Sequence, residues 1–232
     1  MAVRVATYNV RSMYDSVPAL TRVIRGLRAD VLCVQEAPRF LCWRRKRRAL
    51  ARAAGMTVAA GGRRGGVAVF AGPRARVLHA ENHLLRFYFR LERRAVAVAV
   101  VEVEGVRLAV GSIHLDLDEA ARFHHAGEAV ELVERIAARH GAAAVLAGDV
   151  NEQEDRESFG YIAGRLADCY RHAPSPGGDG MTFTARSPGK RIDAIFAGPG
   201  LAVVACGGSD ASREDLAAAT DHLPVIAELV AC

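Results

Sequence analysis

Six apolar runs in this sequence are each accompanied, at or near one end, by carboxylate, amide or imidazole side chains. The central run is residues 142–147, which is followed by Gly148, Asp149 and, after one valine, Asn151. A short apolar run of this kind predicts a buried strand, and α/β proteins usually carry their chemistry at the carboxyl ends of strands. Asp149 and Asn151 are therefore candidate site residues, and the alternative is an ordinary Asx-turn.

The other five positions carry side chains of the same kinds. They are Asn9, Glu36, His114, Asp193, and the pair Asp221 and His222. Asn9, Glu36 and His114 follow predicted strands at 3–8, 31–35 and 106–113, whereas Asp193 lies within one at 191–196. Each position alone has a structural explanation, such as a solvated loop carboxylate for Glu36. The ordered set predicts one site.

Strand and helix patterns alternate between these positions. Helices are predicted at 18–27, 43–55, 119–139 and 158–167. Further strands are predicted at 67–70, 87–91 and 95–103, with a hairpin turn at 61–66 and another at 104–105. The loop at 174–180 is too short for a domain linker and is predicted to form a rim of the site. Without a linker or repeat, the pattern predicts a single α/β domain over residues 1–232.

The charge balance allows an anionic partner without requiring one. The formal net charge is +5, and hydrophobic residues at 51% suffice for a large core. Basic residues are concentrated in the predicted helix 43–55, where Arg44, Arg48 and Arg52 recur every four residues beside Arg47. Like charges at this spacing repel by a few tenths of a kcal/mol per pair. Two interpretations stay open, a solvated face and a basic patch that contacts the substrate.

Other classes of site and location are less favoured. His79 and His83 are four residues apart, but they lack the glutamate of the helical zinc motif and a clear helical pattern. The five cysteines are scattered without a C-x-x-C pair, which predicts a reducing cytoplasm. We see no signal peptide and no apolar stretch long enough for a transmembrane segment.

The polar motifs, taken in order, resemble the endonuclease/exonuclease/phosphatase superfamily with its deoxyribonuclease-I-like fold. They are Thr7-Tyr8-Asn9, Gln35-Glu36, Ser112-Ile113-His114-Leu115, Gly148-Asp149-Val150-Asn151, Arg191-Ile192-Asp193 and Asp221-His222-Leu223-Pro224-Val225. The resemblance covers essentially the whole chain. Val150 and Ala194 depart from it, since the family usually has a bulkier residue at the first position and commonly an aromatic one at the second. The implied fold is a four-layer α/β sandwich of two mixed β-sheets flanked by helices.

The resemblance also implies a role for each residue. Glu36 would bind Mg²⁺, for which Mn²⁺ could substitute, with Asn9 and Asp221 near the ion. Asp149 would activate the attacking water, and Asn151 would position the water or the phosphate. His222, held by Asp193, and His114 would donate to the nonbridging oxygens. An enzyme must lower the barrier to phosphate-ester hydrolysis by on the order of 20 kcal/mol. A general base alone accelerates a reaction only about 10²- to 10⁴-fold, so a metal and several hydrogen-bond donors are also needed.

The sequence therefore predicts a Mg²⁺-dependent phosphoesterase, and a phosphodiesterase or endonuclease-like hydrolase is favoured. Its substrate is a phosphate ester, with DNA as a candidate if Arg44 and Arg48 contact it. The alternatives are a hydrolase of phospholipids or inositol phosphates and a noncatalytic scaffold that binds nucleic acid or lipid. A serine hydrolase around Ser112 and His114 would lack the G-x-S-x-G elbow. No protein partner can be inferred from the sequence.

Overall fold

Two six-stranded sheets form the centre of the computed structural model, which describes residues 1–232. In spatial order, the first sheet consists of β11 (Leu201–Gly207), β12 (Val225–Ala231), β1 (Val3–Asn9), β2 (Val31–Gln35), β4 (Ala68–Ala71) and β3 (Thr57–Ala60). The second consists of β5 (Arg76–Leu84), β6 (Ala95–Val103), β7 (Val106–His114), β8 (Ala143–Asp149), β10 (Asp193–Ala197) and β9 (Ala167–Asp168). The pairs β1–β2 and β7–β8 are parallel and the other pairs antiparallel, so both sheets are mixed.

Helices cover the outer faces of the two sheets. They are α1 (Val17–Leu27), α2 (Trp43–Ala53), α3 (Glu119–His140), α4 (Glu157–Arg165), α5 (Cys169–His172) and α6 (Arg213–Ala219). The apolar face of α1 packs on the first sheet, and that of α3 packs on the second. A third cluster, rich in alanine and valine, fills the space between the sheets. The predicted four-layer α/β sandwich is confirmed.

Strand register brings the predicted site residues to one edge of the sandwich. β1 and β2 run parallel and end side by side, with Asn9 opposite Gln35. β7 and β8 do the same, with His114 opposite Asp149. β10 runs antiparallel to β8, so its first residue, Asp193, also lies opposite Asp149. The residues before β12 reach this edge because β12 is antiparallel to β1.

Gly148 allows the close approach of β7 and β8 just before the site. Its φ is 155°, and a Cβ at this position would lie 2.0 Å from the carbonyl oxygen of Ile113. A side chain here would force the two strands apart. The glycine before Asp149 therefore fixes where that carboxylate leaves the sheet.

The predicted strand at 87–91 is wrong. The strand in this region is β5, and residues 85–94 form a loop before β6. Phe87 and Phe89 suggested a strand by alternation, but they are 51% and 80% exposed and pair with no neighbouring strand. β5 was not predicted because it lies at the edge of the sheet and carries polar residues such as His79 and His83. Five shorter or more polar elements, β3, β9, β11, α5 and α6, were likewise not predicted.

Both predicted hairpin turns are present in the structure. The turn at 61–66 joins β3 to β4 as an antiparallel hairpin, as predicted, and 104–105 joins β6 to β7. No helix in the chain is both long enough and apolar enough to cross a membrane. The cytoplasmic location and the single-domain organisation stay predictions.

Candidate active site

All eight residues predicted for metal binding and catalysis come together at the shared edge. A cavity of about 520 Å³ opens there, and its lining includes Glu36, His114, Asp149, Asn151, Asp221 and His222. Asn9 and Asp193 complete the group from below, since both are buried and hydrogen-bonded to members of it. Six separate chain segments thus contribute to one site.

Asn9 links two of the carboxylates. Its Nδ2 donates to Glu36 Oε1 and to Asp149 Oδ2, each at 3.1 Å. Its Oδ1 accepts a hydrogen bond of 3.1 Å from the backbone N–H of Arg11, which fixes the orientation of the amide. The two carboxylates therefore share one donor nitrogen, which lies 3.1 Å from an oxygen of each.

Two site residues have left-handed backbone conformations. Glu36 has a φ of 47° and Asn151 a φ of 56°. Such conformations cost a non-glycine residue about 1–3 kcal/mol and persist where the surroundings enforce them. At Asn151 the backbone N–H donates to Asp149 Oδ1 at 2.9 Å, and Nδ2 donates to the carbonyl oxygen of Leu115 at 3.0 Å. The strained turn therefore orients both Asn151 and Asp149.

His222 and Asp193 form a buried pair. His222 Nδ1 donates to Asp193 Oδ2 at 2.8 Å, which leaves Nε2 directed towards Asp149, 3.7 Å from its Oδ2. Burial alone would lower the pKa of His222, but the charge and hydrogen bond of Asp193, with the charges of Asp149 and Asp221, raise it to about 9. Since Asp193 Oδ1 is buried without a partner, the imidazolium is the main compensation for this carboxylate. His222 is thus protonated at neutral pH.

The environment of Asp149 disfavours its charged form, whereas that of His222 favours the charged form of the imidazole. Burial, followed by the negative charge of Asp193, raises the pKa of Asp149 to about 7, although His222 and the hydrogen bonds from Asn9 and Asn151 oppose this. His114 Nε2 lies 3.6 Å from Asp149 Oδ2. Burial and then the charge of Arg94 hold the pKa of His114 well below its usual value, so this imidazole is neutral at neutral pH. The two histidines of the site therefore differ in charge.

Asp221 lies at the more open side of the cavity. Its Oδ2 is 3.4 Å from Arg11 Nε, and its Oδ1 accepts a hydrogen bond of 3.2 Å from Thr220 Oγ1. With a third of its side chain exposed, Asp221 is accessible to a ligand in a way that the fully buried Asp193 is not. It therefore belongs to the open, ligand-facing side of the site.

The arginines at the cavity differ from those expected. Arg44 and Arg48 are exposed on α2 and do not line the cavity, whereas Arg39, Arg90 and Arg94 do. Arg39 pairs with Glu92 and Arg94 with Asp116, at 2.6 and 3.2 Å. Arg90 and Arg94 lie in or next to the segment that the sequence suggested was a strand, and this misassignment concealed them.

Two further expectations are corrected. Arg47, grouped with the surface cations of α2, is buried, and its guanidinium donates to backbone carbonyl oxygens. The loop at 174–180 lies beside β11, with Gly177 bridged to Gly207, and lines a separate cavity instead of forming a rim of this one.

Comparison with known proteins decides the family. Residues 6–222 match the sequence model of the Endonuclease/Exonuclease/phosphatase family. The chain belongs to this family. Members of this family hydrolyse phosphoester bonds, which agrees with the resemblance inferred from the strand-end motifs. No curated protein sequence matches the chain significantly.

Solved structures of the family have the same fold. The endonuclease/exonuclease/phosphatase from Bacteroides vulgatus is 21% identical, with complete coverage of both chains and a TM-score of 0.81. The mannosyl-6-phosphatase of Bacteroides thetaiotaomicron is 20% identical, with 98% of this chain and 99% of that one covered and a TM-score of 0.82. The catalytic domain of human Nocturnin with bound sulfate is 16% identical, with coverage of 100% and 95% and a TM-score of 0.75. Identities this low establish the fold alone.

The site offers the donors that a hard divalent cation requires, and enzymes of this family typically depend on a divalent metal. Glu36, Asp149 and Asp221 provide carboxylate oxygens in one cavity, with Asn9 hydrogen-bonded to the first two. A second set of ligand atoms, from Asp149, Asp193 and His222, lies within 4.8 Å of one another. Because the hydrogen bond between Asp193 and His222 occupies two of these groups, the oxygen-rich side near Glu36 is the better fit for the ion.

Proposed function

We propose that this protein is a Mg²⁺-dependent phosphoester hydrolase that favours phosphodiesters and uses a water activated by Asp149. One observation carries the proposal. The buried Asp149 lies between an oxygen-rich side, reached through Asn9 and Glu36, and a proton-donating side formed by His222 and Asp193. This arrangement supports the proposal because a base, a cation site and proton donors would then surround a single cavity.

Glu36 and Asp221 would hold the ion, with Asn9 beside them. When bound, Mg²⁺ supplies Lewis-acid polarisation of the phosphoryl group and offsets its negative charge. Mn²⁺ would substitute, since it also prefers oxygen ligands.

Asp149 is suited to accept the proton of the attacking water. Burial and the negative charge of Asp193 raise its pKa above that of an ordinary carboxylate, which makes it a stronger base towards water. The hydrogen bonds from Asn9 Nδ2 and from the backbone N–H of Asn151 hold the two carboxylate oxygens in place. Asn151 would position the water or the phosphate from the adjacent turn.

The two histidines would donate to the nonbridging oxygens as negative charge develops. His222 brings a positive charge because Asp193 keeps it protonated. His114 is neutral, so it would donate a hydrogen bond without adding a charge. Removing one such preorganised donor typically costs about 10²- to 10³-fold in kcat.

The arginines of the cavity support a diester over a monoester. Arg39 and Arg94 are neutralised by Glu92 and Asp116, so Arg90 is the one lining arginine without a carboxylate partner. A diester carries a single negative charge, whereas a monoester carries about two at neutral pH. A long polyanion such as DNA would extend past the cavity, and only such a substrate would reach Arg44 and Arg48.

The test is hydrolysis of several phosphoesters, each with Mg²⁺ and with EDTA. The substrates are supercoiled plasmid, an abasic-site duplex, bis(nitrophenyl) phosphate, sphingomyelin and an inositol polyphosphate. We expect diester turnover that requires Mg²⁺ and that falls by about 10²- to 10⁴-fold in Asp149→Asn. The control is Glu131→Gln, on the exposed face of α3, which should retain full activity.

Three outcomes would contradict the proposal in different ways. Near-normal turnover by Asp149→Asn, or turnover that EDTA does not affect, would refute the mechanism. Turnover of monoesters alone would leave the mechanism and refute the preference for diesters. Binding of nucleic acid or lipid without turnover of any phosphoester would favour a noncatalytic scaffold.

A further inference from the structure

A second hollow, of about 460 Å³, adjoins the catalytic cavity. It is lined mainly by five charged residues, Arg39, Arg63, Arg64, Glu92 and Arg93, together with Gly65 and the exposed Phe40. Arg39 and Glu92 also line the catalytic cavity, so the two spaces lie side by side. We refer to this second hollow as the arginine pocket.

The arginine pocket carries an uncompensated positive charge. Glu92 is its one carboxylate and pairs with Arg39 at 2.6 Å. Arg63, Arg64 and Arg93 form no salt bridge, although the guanidinium of Arg93 stacks on the ring of Phe87 at 4.0 Å. Like charges crowded in one hollow repel one another, and an anion bound among them would relieve this repulsion.

A buried cation holds two of the three segments that form the arginine pocket, and the third carries Glu92 and Arg93. The guanidinium of Arg47 donates to four backbone carbonyl oxygens, two in the segment before Arg39 and two flanking the segment of Arg63 and Arg64. The acceptors are Ala37, Pro38, Gly62 and Val67. The backbone positions of Arg39, Arg63 and Arg64 are therefore set before any ligand binds, which lowers the entropic cost of binding.

The same segments are tied to the predicted ion ligand. The carbonyl oxygen of Gly66 accepts a hydrogen bond of 2.7 Å from Ala37, the residue after Glu36. Gly65 has a φ of 78°, and a Cβ there would lie 2.3 Å from the Cβ of Ala95 in β6. The arginine pocket consequently has a fixed position relative to the catalytic centre.

We propose that the arginine pocket binds a second phosphate of the substrate, next to the phosphoester that is cleaved. This inference rests on the proposed function, because it assigns the cleaved ester to the catalytic cavity. Guanidinium groups bind phosphate through paired, charge-assisted hydrogen bonds, and three of them here lack another anion. Substrates with adjacent phosphates would therefore be preferred over those with one.

The first test uses two substrates that differ in one phosphate. They are the nitrophenyl ester of thymidine 5′-phosphate and the same compound with an added 3′-phosphate, both of which release nitrophenol from the same diester. We expect the added phosphate to raise kcat/KM roughly ten-fold, mainly through a lower KM, which corresponds to about 1.4 kcal/mol. The double variant Arg63→Ala/Arg64→Ala should lose this preference and retain its rate on the ester without the 3′-phosphate.

A matched control separates the pocket from overall charge. Arg135→Ala removes an exposed arginine of α3 that has no ion-pair partner, so it should leave the preference intact. The dinucleotide pTpT and an inositol bisphosphate, each compared with its singly phosphorylated counterpart, show whether a nucleotide or a sugar carries the phosphate best. A preference that survives in Arg63→Ala/Arg64→Ala, or that is absent from both series, overturns the proposal.

Binding gives a readout that does not depend on turnover. By calorimetry, thymidine 3′,5′-bisphosphate should bind wild-type protein about ten-fold more tightly than thymidine 5′-phosphate, and the two should bind Arg63→Ala/Arg64→Ala alike. Tighter binding of the bisphosphate without hydrolysis of any ester would support the arginine pocket and refute the proposed function. Equal affinity of wild-type protein for the two nucleotides would refute the pocket.

Discussion

Replacing Asp193 by asparagine tests how the site controls the charge of His222. The substitution preserves shape but removes the charge that, together with its hydrogen bond, raises the pKa of His222 from 6.5 to about 9. Burial acts in the other direction, so without this charge we expect the pKa to fall to 6.5 or below. A change of that size corresponds to roughly 3 kcal/mol of differential interaction between the two protonation states.

The consequence for catalysis follows from the fraction of imidazolium. At pH 7.5 a group with a pKa near 9 is almost fully charged, whereas one with a pKa of 6.5 is charged in about one molecule in ten. We therefore expect Asp193→Asn to reduce kcat by at least about ten-fold, because fewer molecules carry the charge and the hydrogen bond that orients the ring is weaker. Relative to wild type at the same pH, lowering the pH towards 6 should restore part of the loss that comes from the smaller fraction of imidazolium.

The assay is an NMR titration of the His222 ring in metal-free protein, with the resonance assigned by its absence from His222→Gln. The sign of the effect on stability can be checked in the same samples. Because the folded-state pKa is raised, the stabilisation by His222 is fully present below pH 6.5 and is lost as the pH rises through about 9. The difference in unfolding free energy between wild type and Asp193→Asn should shrink over that interval.

One result would refute this account. If the pKa of His222 in Asp193→Asn stayed near 9, the charge of Asp193 could not be what holds the proton. The charges of Asp149, whose Oδ2 is 3.7 Å from His222 Nε2, and of Asp221 would then be the remaining sources, and Asp149→Asn should lower the pKa instead. Asp179→Asn, in an exposed loop, should leave the titration unchanged.

Three other predictions concern the framework and the ion. Arg47→Met should lower the unfolding free energy in urea by about 4 kcal/mol, since four hydrogen bonds of about 1 kcal/mol each are lost, and an unchanged midpoint would contradict this. Gly148→Ala should cost at least about 2 kcal/mol, because its Cβ would lie 2.0 Å from the carbonyl oxygen of Ile113, and wild-type stability would show that the strands yield easily. Mg²⁺ at about 100 times its Kd should raise wild-type stability by about 2.7 kcal/mol, with a much smaller effect on Glu36→Gln; an equal effect on both would place the ion elsewhere.

The candidate site residues could be picked out from the sequence because each accompanies a strand that can be recognised locally. Asn9, Glu36, His114 and Asp149 directly follow or end apolar runs, and parallel pairing brings their carboxyl ends to one edge. Asp193 is the instructive case, since it opens its strand instead of closing it. It reaches the same edge because β10 runs antiparallel to β8, a pairing that no local pattern indicates.

The surroundings of the site could not be read in the same way, because they depend on tertiary contacts. Arg44 and Arg47 belong to one basic run, but Arg47 is buried among carbonyl oxygens while Arg44 faces solvent. Helical spacing places Arg47 on the same face as the buried Leu50 and Ala51, but its hydrogen-bond acceptors belong to two distant loops that the run does not indicate. The hydrogen bonds of Arg47 hold the segments that carry Arg39, Arg63 and Arg64, whereas strand register places Asp149. Substitutions in these loops should therefore change substrate preference and leave the catalytic geometry intact. The arginine pocket experiments measure these two effects separately, as the preference for a second phosphate and as the rate on the singly phosphorylated ester.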